Sequence, residues 1–206
     1  MEDNLLEKIC SSNKLDRDKA VRQLTEAVTN NKTDIISTVY GHLEVLVKPD
    51  LLWEEKLGYI LASKCLVNVK SENVDSLIVL CLDWLENESE PRVKEAVGDL
   101  LEILCCRHGA GVFDKCREKV MSLITGHLSR PMDPDKDVAS EIGPGGVQGR
   151  LMDRREWKNL AAWKDLELTL GCLGKMFQGL GFPQAESKLD DEVLQLIFKC
   201  TKHENR

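Results

Sequence analysis

The sequence predicts an all-α protein in which antiparallel helix pairs stack side by side. Three observations carry that expectation. The composition is helical, with only 6 prolines and 5% aromatic residues in 206 positions. Apolar residues recur three and four apart in one segment after another, with no sustained two-residue alternation and no Asn-Gly turn. The segments also resemble one another at steps near 40 residues, the mark of a repeat array.

Taken in chain order, helices are expected at roughly 3–10, 15–30, 33–48 and 51–69, with breaks at 11–13, 30–31 and 49–50. The stretch 72–87 places Val74, Leu77, Ile78, Cys81, Trp84 and Leu85 on one face, with Ser71 as a suitable N-cap. Residues 92–107 repeat the rhythm through Val93, Ala96, Val97, Leu100, Leu101 and Leu104. Pro91 stands at the first turn, where a missing N–H costs nothing. Gly109 and Gly111 then separate a third amphipathic stretch running from Val112 to His127. A long helix is expected over 157–180, a break at Gly181, Phe182 and Pro183, and a last helix over 188–202.

The rhythm fails between about 130 and 156. Residues 130–155 hold Pro131, Pro134 and Pro144 together with Gly143, Gly145, Gly146 and Gly149. They start acidic and end basic, at Arg150, Arg154 and Arg155. A stretch this long between helices is expected to be a flexible loop inserted into a single domain spanning 1–206.

Charge and cysteine content narrow the function classes. The net charge is −7, and residues 1–129 carry six of those seven charges. An acidic chain does not steer itself toward a phosphate backbone, so nucleic acid is disfavoured as a partner. No apolar run approaches the ~18 residues of a membrane span. The N-terminal MEDNLLEKIC has no apolar signal segment, so a cytoplasmic or nuclear protein is expected, not a secreted one. In that setting the eight cysteines read as reduced packing residues, most of them on apolar helix faces.

Four segments share one pattern of small and large apolar residues: RDKAVRQLTEAV (17–28), WEEKLGYILASKCLV (53–67), PRVKEAVGDLLEILC (91–105) and AWKDLELTLGCLGKMF (162–177). Leu61 to Leu101 and Cys65 to Cys105 are both steps of 40. EPRVKEAVGDLLEIL resembles the second helix of a HEAT repeat, where a proline precedes a Val-Arg/Lys step and Ala-x-x-x-Leu follows. The chain thus resembles the HEAT and armadillo repeat superfamily over most of 1–203. That resemblance implies a right-handed α-solenoid of about four to five helix pairs. It also implies a non-enzymatic scaffold or adaptor that binds another protein through its concave face or turn ridge.

Enzymatic readings find little support. Cys105, Cys106, His108, Cys116 and His127 are the nearest approach to a metal cluster. Adjacent Cys105 and Cys106 point to different helix faces, and no C-x₂-C pair accompanies them. A HEAT-like metalloenzyme is the lower alternative, and the repeated His-Glu pairs of HEAT-like iron hydroxylases are absent. The glycines of 142–150 follow no strand, so they form no phosphate loop. HEAT-like DNA glycosylases rely on a basic face that this chain lacks. No cofactor, metal or small-molecule substrate is expected.

The candidate contacts are therefore those of a protein partner. Trp53 opens a helix beside charged residues; TOG-like tubulin-binding modules, also HEAT arrays, carry a tryptophan in an intra-repeat turn, a resemblance in residue type only, and this is the first alternative function. Glu86, Glu88 and Glu90 cluster at one helix junction and suit a basic partner segment, while Arg150, Arg154 and Arg155 offer the opposite charge.

Overall fold

The computed structural model describes residues 5–46, 50–67, 69, 74–129 and 154–202, with backbone alone at 45, 46 and 154–163. Among the described residues there are ten helices and no strand. They are α1 (Leu5–Ile9), α2 (Lys14–Thr29), α3 (Thr33–Leu46), α4 (Trp53–Leu66) and α5 (Val74–Asn87). Then come α6 (Pro91–His108), α7 (Ala110–Leu128), α8 (Arg154–Leu180), α9 (Phe182–Lys188) and α10 (Asp191–Thr201).

Local chemistry sets the boundaries. The Asn13 side chain accepts from the Leu15 N–H and starts α2. At the head of α4, Glu55 reaches back to accept from the Leu52 N–H at 2.8 Å, half of a capping box. Glu90 caps α6 by accepting from the Arg92 N–H, with Pro91 in the first turn as expected. Asp190 accepts from the Val193 N–H and opens α10. Gly109 alone joins α6 to α7: its φ of +70° suits glycine, and its N–H closes α6 on the Cys105 carbonyl. Gly111 already lies inside α7.

Two stretches differ from the sequence expectation. Arg154, Arg155 and Glu156, read as the end of the inserted loop, are the first residues of α8. All three are good helix formers, and the glycines and prolines before them hid the start. Phe182 and Pro183, read as a break, belong to the short helix α9, because proline is harmless in a first turn. The remainder of the loop, 130–153, lies outside the described residues, as does the Ser71 cap.

Packing follows a simple order. On one side α2 packs on α4, α4 on α6 and α6 on α8; on the other α5 packs on α7 and α7 on α10. The larger core fills the space between them with Ile60, Leu85, Leu100, Leu104, Phe113, Ile124 and Met176, all fully buried. A smaller core at the N-terminal end gathers Leu6, Ile9, Leu24 and Val39. Helix α4 serves both: Leu57 and Ile60 enter the larger core, Ala62 and Leu66 the smaller. The most extensive helix pairing among the described residues is α6 on α8. A Cβ on Gly179 would collide with the Glu102 carbonyl oxygen and lie 3.0 Å from Cys105 Cβ, so only glycine permits this approach.

Candidate functional site

Two places on the molecule are candidates, and the first is the junction that the sequence singled out. Trp53 is the first residue of α4 and is half-buried. The Arg92 guanidinium lies over its ring, 4.0 Å from the centroid. Arg92 Nε also donates to Glu90 at 2.7 Å, so Glu90, Arg92 and Trp53 form one stack. One turn further along α4, Lys56 Nζ donates to Glu88 at 2.6 Å. The other oxygen of Glu88 accepts the N–H groups of Ser89 and Glu90. The fold thus brings Trp53, Glu88 and Glu90 together.

Their charges are engaged within the chain. Burial raises the Glu88 pKa, but the Lys56 ammonium and the two backbone N–H groups outweigh it and hold the carboxyl below its ordinary range. The Arg92 hydrogen bond does the same for Glu90. Glu86 stands apart from this group, paired at 2.6 Å with Lys119 of α7. Each carboxylate of the predicted acidic landing site has an internal cation. Of the basic candidates, Arg150 lies outside the described residues. Arg154 and Arg155 open α8, and their side chains are not described.

The second place was not foreseen. A groove of about 610 Å³ runs between α3, α4 and α5 and reaches His108 at the end of α6. Its walls are Tyr40 and Leu43 from α3, Tyr59 and Leu66 from α4, and Leu77, Val79 and Leu80 from α5; among the described residues Glu44 is its one carboxylate. The Tyr59 ring stands edge-on to Trp84 with centroids 5.5 Å apart, and burial pushes its phenol pKa up. Val79 remains 66% exposed, an unusual fate for valine in a helix centre.

Among the described residues, α3 and α5 meet far less than α5 and α7 do, which leaves the groove between them. A signal for it was present. Residues 77–82 read Leu-Ile-Val-Leu-Cys-Leu, an unbroken apolar run too wide for a single core stripe. Ile78, Cys81, Trp84 and Leu85 take the core, while Val74 and Leu77 are half-buried on the groove side.

The thiols sort by depth. Cys81, Cys105, Cys116, Cys172 and Cys200 are buried, Cys10 and Cys65 half-buried, and Cys106 exposed; all eight are free. Burial pushes the thiols of Cys105, Cys116 and Cys172 up to about 12 and that of Cys10 to about 11, so they stay protonated. Cys105 faces the core and Cys106 the solvent, with His108 exposed and His127 buried. No group of three or more His, Cys, Asp and Glu side chains among the described residues is arranged to hold a metal ion. Nor is any described helix long and apolar enough to cross a membrane. A comparison with family models, curated proteins and solved structures finds no match to this chain.

Proposed function

We propose that the chain is a right-handed α-solenoid of the HEAT/armadillo type, working as a non-enzymatic scaffold or adaptor for a partner protein. In this reading the α3–α4–α5 groove receives an amphipathic helix of that partner. The stacked order of α2, α4, α6 and α8 beside α5, α7 and α10 supports about four helix pairs, each meeting mainly its neighbours. One observation carries the binding role: the helix stack is closed between α5 and α7 but left open and apolar between α3 and α5. A helix laid in that gap would place its apolar residues on Leu43, Leu77 and Val79, the helix-in-groove mode. The burial of five of the eight cysteines in apolar packing suits a cytoplasmic or nuclear setting.

The acidic junction takes a different part in this proposal. Glu88 and Glu90 brace the α5–α6 turn against α4, and partners read the groove instead. Affinity purification with quantitative mass spectrometry tests the assignment. A specific partner captured by the native chain should be lost with Val79→Glu and retained with Glu86→Gln. Equal recovery on both variants, or no specific partner at all, sinks the groove reading.

A further inference from the structure

The surface of α10 carries a pattern that the helix stack does not use. Val193, Leu196 and Cys200 turn inward. On the opposite side, at helical spacing, stand Asp191, Leu194, Phe198 and Lys202. Leu194 is 46% exposed and Phe198 61%. Exposed Phe182 and Leu189 lie just upstream, so half of the eight large exposed apolar side chains among the described residues fall within 182–198. Of these, Leu194 and Phe198 share one face of α10, the kind of exposed apolar stripe that marks an interaction surface.

The charges on the stripe say what fits it. Asp191 lies at its N-terminal end and Lys202 at its C-terminal end, with the two apolar residues one turn apart between them. The Lys202 ammonium sits over the Phe198 ring, 4.4 Å from the centroid, so the cation is held on the stripe itself. Turned end for end, the stripe is its own complement. An antiparallel copy puts its Lys202 against Asp191 and its Phe198 against Leu194, both within one residue of a common register. A two-fold interface needs this self-complementarity, in which residue i meets j and j meets i.

We infer that α10 is a homodimerisation face, pairing antiparallel with α10 of a second copy through Leu194, Phe198 and reciprocal Asp191–Lys202 ion pairs. The interface is small and the dimer correspondingly weak, assembling near or above micromolar concentration. The inference does not depend on the groove or on the identity of any partner.

Sedimentation equilibrium on the full chain, from about 1 to 100 µM, spans the range expected for a weak interface. A reversible rise from 23.2 kDa toward twice that mass is expected. Phe198→Glu should weaken association at least about tenfold, as loss of a central aromatic contact does. Asp191→Lys and Lys202→Glu alone should each weaken it, because each sets like charges face to face. Mixing those two variants should restore it, since every ion pair across the two-fold is then of opposite sign. Circular dichroism that matches the native chain shows that a variant is folded; all three substituted positions are exposed. A monomer throughout the range overturns the inference. So does a dimer indifferent to these variants, or a mixture that stays monomeric. A monomer that uses this face for an unrelated protein overturns it equally.

Discussion

The α6–α8 seam and the α3–α5 gap show two outcomes of one packing rule. Along the seam, glycine replaces a side chain where the backbones meet, and Leu100, Leu104, Leu173 and Met176 close the remaining space. Asp99 seals its edge by pairing with Lys175 of α8 and Lys64 of α4. Across the gap there is neither close approach nor ion pair to seal it among the described residues, and Leu77, Val79 and Leu80 are left partly in water. Stacked helices do not all need to touch. The chain concentrates its close packing in one region and leaves apolar surface uncovered in another, among the described residues.

Substitutions measure that division, beginning with the deepest. Phe113→Ala, beside Phe177 at 4.8 Å between centroids, should cost about 3–5 kcal/mol in urea denaturation followed by circular dichroism. Gly179→Ala should cost about 1–3 kcal/mol, because α8 must move off the Glu102 carbonyl. A neutral result there would mean that the seam has room to open, and the contrast with the gap would weaken.

The third test is electrostatic. Burial raises the Asp99 pKa, yet Lys175 and Lys64 outweigh it and hold the carboxyl below its ordinary range. A lowered folded-state pKa contributes stability above the unfolded value of about 3.9 and loses it as pH falls through the lower one. The urea midpoint of the native chain should therefore drop below pH 4 more steeply than that of Asp99→Asn. Parallel curves would show that the bridge adds nothing. The smallest effect belongs to the gap: Val79→Asp should change stability by no more than about 0.5 kcal/mol, as exposed substitutions do. A large loss would show that the groove wall is part of the core.

How much of this was legible in the sequence depended on the range of the interactions. Helices came from the spacing of apolar residues, a signal contained within a dozen positions, so α6 and α7 were found to within two residues at each end and α5 at its C-terminal end. Ends were less certain where local rules compete. Pro183 can stop a helix or start one, and only the turn made by Gly181 decides. Glu86, Glu88 and Glu90 do sit around the α5–α6 turn, but their internal cations left no sign in the sequence. Lys119 is 33 residues from Glu86, and Lys56 is 32 from Glu88, separations that no local pattern encodes. The groove left a trace in the run 77–82. A helix with too much apolar surface for one core has a second use for the excess.

The sulfur atoms give the two halves of this picture a time axis. Cys105 and Cys106 are neighbours in sequence, yet one is sealed beneath α7 and α8 and the other stands in water. An alkylating reagent meets Cys106 in the folded protein. It reaches Cys81, Cys105, Cys116 and Cys172 only when the helices above them part, since burial holds these thiols protonated, well above their ordinary range. The number of sulfurs modified after each interval thus counts how often the interior opens. No label has to be engineered in, and the fast sulfur calibrates the slow ones within the same molecule.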